Sequence, residues 1–266
     1  MNHSLILVRG INDVGSAVAH RLFATGYSVL IHEAPQPTVA RRGMSFTDAV
    51  FDGHAVLDGV EARLVESLSI SDLLSTRQAI PVFTGDVSEL LNHLRPSVLV
   101  DARMRKHTQP EIQRGLADLT IGLGPNFIAG ETVDLAIETN WGQSLGRIVE
   151  NGATNPLQGE PREIDGHARD RYVYASIAGV FHTSLRIGDV VAQGREVARI
   201  DSTPLLAPIH GTLRGLTRDG VLVSLKTKVI EIDPRMQNAQ VFGVGERPAR
   251  IADGVLNAIQ SWGANR

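Results

Sequence analysis

The chain has 266 residues, of which 42% are hydrophobic and 21% charged, so it is long enough for two compact units of ordinary globular composition. Its formal net charge of −3 argues against a nucleic-acid partner, and the absence of cysteine excludes disulfides, thiolate metal ligands and thiol nucleophiles. Because no apolar run approaches the roughly twenty residues of a membrane span and the first residues lack the pattern of a secretory signal, we expect a cytoplasmic protein without membrane partners.

The first thirty-three residues follow the order strand, glycine turn, helix, strand and acidic residue. A Rossmann-like sheet begins in this way when it holds a nucleotide phosphate at a helix N-terminus. Gly10 and Gly15 fit the G-x-G-x-x-G fingerprint, but Asn12 stands in place of its middle glycine, and the second strand ends at Glu33. The pattern therefore predicts the fold and leaves the cofactor open.

Strand-like runs alternate with helix-like runs up to about residue 150, which predicts a mostly parallel sheet. The predicted strands are Leu5–Val8, Ser28–His32, Ile80–Phe83, Ser97–Val100, Leu119–Ile121 and Asp134–Ile137. Alternation around Asp58-Gly59 predicts a hairpin inserted near residues 54–65. We expect residues 1–165 to form this Rossmann-like domain.

The chain changes character after a stretch rich in glycine and proline that begins near residue 151. In residues 166–236 the apolar runs are short, β-branched and broken by glycines, which is typical of an all-β module. In residues 237–266, Ile251, Val255 and Ile259 recur at helical spacing and predict a terminal helix that packs back on the first domain. The expected fold class is α/β, with a mostly parallel sheet, a smaller β module and a C-terminal helix.

Ligands of open parallel sheets bind beyond the carboxyl ends of the strands, so these ends supply the candidate site. The candidate cofactor-binding residues are Arg9, Gly10, Asn12, Asp13, Gly15, Glu33, Arg41, Arg42, Asp101, Arg103, Gly122, Gly124, Glu138 and Thr139. The basic members, together with Lys106, are expected to converge on one edge, and the turn Gly122–Gly130 is a second glycine-rich loop directly after a strand. Convergent positive charge beside a helix N-terminus suits a phosphate-bearing ligand.

Two alternatives stay open for Glu33, and no reaction is indicated. This carboxylate can bond a ribose hydroxyl, or it can pair with Arg41 or Arg42 in a solvated loop. The sequence has no nucleophile elbow, no Walker lysine and no metal-binding histidine motif. We therefore assign neither catalytic residues nor a metal site.

One group of motifs lies in the β module: Ile187-Gly188-Asp189-Val190-Val191, Gly194, Ile200 and Ala207-Pro208-Ile209-His210-Gly211. With these residues the module resembles the biotinyl/lipoyl-carrier superfamily, whose fold is a barrel-sandwich hybrid. Carrier domains present a lysine for modification in the turn before the last of these elements. Here that turn is Asp201-Ser202-Thr203-Pro204, without a lysine. The resemblance implies the fold without the swinging arm, so the module is either a rigid cover or docking surface, or it binds a ligand of its own.

A second set of motifs runs over nearly the whole chain. It comprises Val8-Arg9-Gly10 with Asp13, Val18-Ala19-His20-Arg21-Leu22, Glu33-Ala34-Pro35-Gln36-Pro37 with Arg41-Arg42, Phe46 with Ala49-Val50, Val100-Asp101-Ala102-Arg103, Gly122-Leu123-Gly124-Pro125, Glu138-Thr139, Leu145-Gly146-Arg147 and Ile232-Asp233-Pro234-Arg235. With these motifs the chain resembles the YqeB-type accessory proteins of the selenium-dependent molybdenum hydroxylase system. The resemblance implies a role in maturing molybdenum-cofactor enzymes such as xanthine dehydrogenase.

The chain departs from this family pattern at two places. Asn12 stands where the family tends to have glycine, and Trp141 and Gln143 stand where an arginine and a histidine are expected after Glu-Thr. If the arginine and histidine contact the family's ligand, this protein binds something else or binds it differently. The Trp141 ring is able to stack on a planar group such as a pterin or adenine.

Three functional hypotheses follow. The first is a maturation factor for a molybdenum hydroxylase that holds molybdenum cofactor (molybdopterin) or a nucleotide at the sheet edge, with a hydroxylase subunit as a further partner. The second is an NAD(P)-dependent oxidoreductase, against which the missing middle glycine and the lack of a recognisable acid or base argue. The third is a non-enzymatic scaffold whose β module docks a partner enzyme.

Overall fold

The computed structural model describes residues 5–66, 70–105, 108–157, 159 and 161–264. Within these ranges, eleven strands precede the β module. They are β1 (Leu5–Arg9), β2 (Ser28–His32), β3 (His54–Leu57), β4 (Val60–Leu64), β5 (Ile80–Phe83), β6 (Val98–Asp101), β7 (Leu119–Leu123), β8 (Ile128–Ala129), β9 (Leu135–Ile137), β10 (Ile148–Val149) and β11 (Gly152–Ala153). Nine of them form one sheet in the order β10-β9-β7-β6-β1-β2-β5-β4-β3, while β8 pairs with β11.

Most neighbours in the large sheet run parallel, which confirms the predicted mostly parallel sheet. All pairs from β9 across to β4 are parallel, and only the edge strands β10 and β3 are antiparallel to their neighbours. The turn between β3 and β4 has left-handed backbone at both Asp58 (φ 44°) and Gly59 (φ 81°), as a two-residue hairpin turn requires. This hairpin does not stand apart, because β4 pairs in parallel with β5 and extends the sheet.

Helices cover both faces of the sheet. They are α1 (Asp13–Ala24), α2 (Ala49–Asp52), α3 (Ile70–Thr76), α4 (Val87–Leu94) and α5 (Glu246–Ala264). Alternate residues of β1 face opposite layers: Ile6 and Val8 lie in the core under α1 and α5, and Leu7 lies in the core under α3 and α4. The predicted C-terminal helix is confirmed, and it packs beside α1. No helix in the described ranges has both the length and the apolar character needed to cross a bilayer.

The β module follows as two antiparallel four-stranded sheets. Its strands are β12 (Tyr172–Tyr174), β13 (Gly179–His182), β14 (Val190–Val191), β15 (Glu196–Ile200), β16 (Thr203–Leu206), β17 (Gly211–Leu216), β18 (Leu222–Val223) and β19 (Lys228–Asp233). The sheet orders are β12-β19-β17-β14 and β16-β15-β13-β18, and both sheets contribute to one apolar core that contains Phe181, Leu213 and Ile230. The likeness to carrier modules stays a prediction.

The β module docks on the segment that follows β2. The Leu216 amide donates to the Ala40 carbonyl (2.8 Å), and Arg42 Nε donates to the Leu216 carbonyl (2.8 Å). The Phe51 side chain packs against the core of the module, and Arg218 pairs with Asp52 (2.6 Å). These contacts bring β17 and β19 to the end of the sheet where β1 and β2 finish.

Candidate functional site

The first turn depends on close backbone approach. Gly10 has φ 110°, and a Cβ there would lie 2.8 Å from the Ala102 carbonyl oxygen. A Cβ on Gly15 would lie 2.0 Å from the Gly10 carbonyl oxygen. The two predicted glycines are therefore needed to start α1 directly against the ends of β1 and β6, whatever the turn binds.

Three amides of this turn are hydrogen-bonded to side chains of the protein. Asn12 caps α1, because its Oδ1 accepts from the amides of Val14 (3.0 Å) and Gly15 (3.2 Å), and its Nδ2 donates to the Ala102 carbonyl (2.7 Å). The Glu33 carboxylate accepts from the Ile11 amide at 2.9 Å. Asn12 and Glu33 thus accept from three amides at the start of α1, where a dinucleotide-binding turn holds pyrophosphate.

Glu33 bonds backbone amides and does not pair with Arg41 or Arg42, which was one of the two alternatives that the sequence left open. Its second carboxylate oxygen accepts from the Ala34 amide (2.7 Å), so both oxygens bond backbone. Arg42 instead donates to Asp48 (2.8 Å), and Arg41 has partners described below.

The predicted basic residues belong to different clusters. Arg9 and Arg103 come together over the ends of β1 and β6, where Arg9 Nη1 lies 3.3 Å and Arg103 Nη2 lies 2.5 Å from the Glu111 carboxylate. Arg103 Nε also donates to the buried Asp101 carboxylate (3.0 Å). The Arg103 and Arg105 guanidinium groups hold the Glu111 pKa far below its usual range despite partial burial, which by itself would raise it. The Lys106 prediction lies outside the described residues.

The predicted residues at the end of β7 and after β9 order the neighbouring loops. A Cβ on Gly122 would lie 2.3 Å from the Phe127 ring, and a Cβ on Gly124 (φ 101°) would lie 3.4 Å from the Met104 sulfur and 3.9 Å from Thr139 Oγ1. The buried Glu138 carboxylate accepts from the amides of Asn140 and Asn155, each at 2.8 Å. These two bonds fix the chain that leads from β9 to Trp141.

A larger group of charges lies between the sheet domain and the β module, and we call it the interdomain cluster. Its members are Asp13, Arg41, Arg171, Arg214, Lys228, Glu231 and Arg247. At its centre is the Glu231 carboxylate on β19, which is fully buried. Glu231 accepts two bonds from Arg41 (2.8 and 2.9 Å), one from Arg171 (2.9 Å) and one from Lys228 (3.2 Å). Arg214 Nη1 lies 3.8 Å from the same carboxylate.

Arg41 connects this carboxylate to the sheet domain. Its Nη1 donates to Asp13 in the first turn of α1 (2.7 Å) while its other nitrogens bond Glu231. Arg247, in the first turn of α5, donates from Nε to the Thr139 carbonyl (2.8 Å) and lies within electrostatic reach of Asp13. The interdomain cluster therefore joins α1, the loop after β9, α5 and the β module.

The interdomain cluster carries more positive than negative charge. Five cations face Asp13, Glu231 and the Glu138 carboxylate near Arg247, which leaves a surplus of two positive charges among the described residues. Asp233, 3.8 Å from Arg214, does not change this balance, because it is itself paired with Arg235 (2.6 Å). Buried Nε atoms of Arg171 and Arg214 have no hydrogen-bond acceptor in the described part of the chain. A surplus of buried positive charge favours the approach of an anion, because a buried cation is costly without a counter-charge.

The pKa shifts follow from this crowding. Burial by itself raises the Glu231 pKa, but Arg41 and Lys228 outweigh burial and hold that pKa well below its usual range. Burial lowers the Lys228 pKa, and Arg41 lowers it further, although Glu231 opposes both effects. Burial and Glu231 together raise the Tyr172 pKa, so the phenol beside these cations stays neutral at ordinary pH. The site is a set of positive charges that another anion would relieve.

Sequence reasoning found Asp13 and Arg41 but missed the other members. Arg171, Arg214, Lys228 and Glu231 belong to the β module and meet Arg41 only through the tertiary fold. One signal was available in the sequence: Glu231 and Asp233 interrupt the apolar strand β19, and both are fully buried. A buried carboxylate needs a cation nearby, so this strand indicates ion pairs.

Two clefts flank this region and the module. The first is an open cleft of about 690 Å³ lined by Trp141, Gly142, Gln143, Arg162, Glu246 and Arg250. The Arg162 guanidinium lies 4.5 Å from the centre of the Trp141 ring. The second has about 530 Å³ and lies on the β module, where its walls include His182, Arg195 and Asp219.

No protein-family model matches the chain. Among solved structures, an aspartoacylase family protein from Mesorhizobium loti is 13% identical, with 88% of this chain and 86% of that one covered and a TM-score of 0.26. The ectoine utilization protein EutE (DoeB) from Ruegeria pomeroyi is 10% identical, with coverages of 87% and 86% and a TM-score of 0.26. Scores this low say nothing about fold or function here.

A curated protein gives a much closer match in sequence. The chain is 37% identical over 257 residues to the Escherichia coli (strain K12) protein named "Uncharacterized protein YqeB". The match covers 97% of this chain and 47% of the relative. The chain is thus similar to YqeB over nearly all of its own length, and it spans about half the length of that relative.

Proposed function

We propose that this protein binds a phosphate-bearing small molecule at the interdomain cluster and serves as an accessory factor in the maturation of a molybdenum-cofactor hydroxylase. The observation that carries the binding site is the surplus of cations around Glu231 and Asp13. The maturation context rests on the sequence motifs shared with YqeB-type accessory proteins. A hydroxylase subunit is the protein partner that this context implies.

The interdomain cluster suits a phosphate in both chemistry and access. Arginine presents its donors in a planar fork that matches phosphate oxygens, and lysine adds a mobile point charge. The side chains of Lys228 and Arg41 are 34% and 20% exposed, whereas Arg171 is almost fully buried. A ligand therefore meets Lys228 first, with the arginines positioned behind it.

Under this proposal, molybdenum cofactor is a cargo that the interdomain cluster holds by its phosphate. The chain has no cysteine, so no thiolate of its own competes with the dithiolene sulfurs for the metal. Across the described ranges, no three histidine, aspartate or glutamate side chains are grouped as metal ligands. We therefore assign residues only to the phosphate of the cargo, and the molybdenum stays bound by the dithiolene sulfurs of the pterin.

The same geometry gives less support to a dinucleotide at the first turn. The amides of Ile11, Val14 and Gly15 already donate to Glu33 and Asn12. Asp13 adds a negative charge to the first turn of α1, where a pyrophosphate would have to approach. An NAD(P)-dependent enzyme needs that turn to be open to its cofactor.

The test compares two lysines of the same strand region. Lys228→Gln removes a charge from the interdomain cluster, and Lys226→Gln removes one from an exposed position two residues earlier. Calorimetry with pyrophosphate should show binding about tenfold or more weaker for Lys228→Gln, because a charge-assisted contact is worth about 1.5–3 kcal/mol. The Lys226 variant should bind like the wild type. Equal affinities for all three proteins would refute the site.

A separate measurement addresses the cargo. The protein is purified from cells that make molybdenum cofactor, denatured, and its released small molecules are identified by mass spectrometry. We expect a phosphorylated pterin from the wild type and a much smaller amount from Lys228→Gln. If a dinucleotide is released instead, the maturation role is wrong and the oxidoreductase hypothesis takes its place.

A further inference from the structure

The open cleft beside the interdomain cluster presents an aromatic ring to solvent. Trp141 is 37% exposed, and a Cβ on Gly142, which follows it, would meet no atom of the described residues within 4 Å apart from its chain neighbours. A large, partly exposed indole beside open space is the surface on which flat heterocycles stack. Arg162 already stacks on this ring and is 57% exposed, so its guanidinium is free to move aside or to close over a ligand as a second flat surface.

The loop that carries Trp141 is held firmly from both sides. The buried Glu138 carboxylate bonds the Asn140 amide, and the Asn140 side chain donates to the Pro156 carbonyl (3.0 Å). Arg247 bonds the Thr139 carbonyl (2.8 Å). The indole is therefore presented on an ordered segment, which reduces the entropy lost when a ligand binds.

The cleft and the interdomain cluster are adjacent. Arg171 bonds Glu231 through one nitrogen and donates to the Arg162 carbonyl (3.1 Å) through another. Glu246 lines the cleft and pairs with Arg162 (3.5 Å), and the next residue, Arg247, belongs to the interdomain cluster. The cleft wall and the interdomain cluster therefore meet at two places. Glu246 and Arg247 are consecutive residues of α5, and Arg171 contacts both Glu231 and Arg162.

We infer that this cleft holds the planar heterocyclic ring of the ligand whose phosphate binds at the interdomain cluster. This inference rests on the proposed function and narrows its ligand class to a phosphorylated flat heterocycle, either a nucleotide or a pterin phosphate. Trp141 supplies the stacking surface, and Gln143 at the cleft wall supplies an amide for the polar ring edge. Ring and phosphate then occupy two connected subsites.

The test measures what the ring adds to binding. Calorimetric affinities are compared for four probes: adenosine monophosphate, a pterin monophosphate, ribose 5-phosphate and inorganic phosphate. One or both of the probes with an aromatic heterocycle, adenosine monophosphate and the pterin monophosphate, should bind about 5- to 150-fold more tightly than ribose 5-phosphate. This is the range for one stacked base. In Trp141→Ala this advantage should disappear while the affinity for ribose 5-phosphate stays unchanged. In a Trp262→Phe background, only the ring-bearing probes should quench the fluorescence of Trp141.

The outcomes separate the two proposals. If ribose 5-phosphate and inorganic phosphate bind but the ring adds nothing, or if Trp141→Ala keeps the ring advantage, the ring subsite is wrong and the phosphate site stands. If no probe binds, both the proposed function and the ring subsite are wrong. Comparing the adenine with the pterin probe identifies which heterocycle the cleft accepts.

Discussion

Replacing Glu231 with glutamine tests the electrostatic account of the interdomain cluster most directly. The side chain is fully buried and is the common acceptor for Arg41, Arg171 and Lys228 at 2.8 to 3.2 Å. Glutamine keeps the volume and one acceptor oxygen, but it removes the negative charge and turns a donor toward the cations. The change therefore isolates the charge from the packing.

The structure sets the expected size of the effect. Removing one partner of a buried ion pair costs about 3–5 kcal/mol, because the other charge is left without compensation. Part of that loss is recovered here, since Asp13 still holds Arg41 (2.7 Å) and Lys228 is 34% exposed to water. We therefore expect Glu231→Gln to lower the free energy of unfolding by about 3 kcal/mol, at the lower end of that range.

The assay is urea unfolding followed by circular dichroism, with and without sulfate. The matched control is Glu61→Gln, which removes a carboxylate from a solvent-facing pair with Arg63 and should leave the free energy of unfolding unchanged. Sulfate should stabilise Glu231→Gln more than the wild type, because the variant has one more uncompensated positive charge and the anion binds the folded state. A loss below about 1 kcal/mol, with no added response to sulfate, would refute the account of a cationic site centred on Glu231.

Two further predictions concern Lys228 and α5. Because burial lowers the Lys228 pKa from 10.5, its ammonium loses its proton at a lower pH than a free lysine, so affinity for sulfate should fall as pH rises toward that value. Lys228→Arg should remove this pH dependence in calorimetric titrations. If the sulfate affinity of Lys228→Arg still falls with rising pH, Lys228 is not its cause. Gly254→Ala should destabilise the protein by about 1–3 kcal/mol in urea unfolding, because its Cβ would lie 2.1 Å from the Gly146 carbonyl oxygen. A Cβ at Gly263 on the same helix would meet no other part of the described chain within 4 Å, so Gly263→Ala should leave stability unchanged or slightly raised. Equal losses for the two variants would contradict close packing at Gly254.

The main sheet was predictable because its strands are short apolar runs, and the limits of that prediction lie at strand ends. Ser28–His32 and Ile80–Phe83 match the structure at both ends. The predicted run from Ser97 to Val100 is shifted by one residue, because Asp101 continues the ladder beside Arg9 and Gly122. In the sequence, the apolar run stops where a charged residue appears. In the structure, the strand continues for as long as its backbone pairs with the neighbouring strands.

Local sequence patterns could not predict that the hairpin pairs in parallel with β5. Alternation around Asp58-Gly59 predicts two antiparallel strands, and it cannot tell whether they stand alone. In the structure Ala62 lies opposite Ile80, so β4 joins the large sheet. That contact depends on where the chain returns after α3.

In the candidate site, too, local patterns indicate the residues but not their contacts. The residue types at the strand ends were identified, but their partners were not, because the pair of Arg41 and Glu231 is separated by 190 positions in the chain. Asn12 shows a second limit. In the sequence Asn12 is a departure from the glycine fingerprint, and the structure gives the reason: its Oδ1 caps α1 by accepting from two amides at 3.0 Å and 3.2 Å.

The position of Arg41 couples the two domains to the proposed ligand. One guanidinium holds Asp13 of α1 and Glu231 of β19, so the interdomain cluster is complete only when the β module is docked. A ligand that binds the complete cluster stabilises the docked arrangement by the free energy of its binding. Under the proposed function, a module that lacks a lysine arm therefore contributes Arg171, Lys228 and Glu231 to a fixed site, and it needs no mobile group of its own.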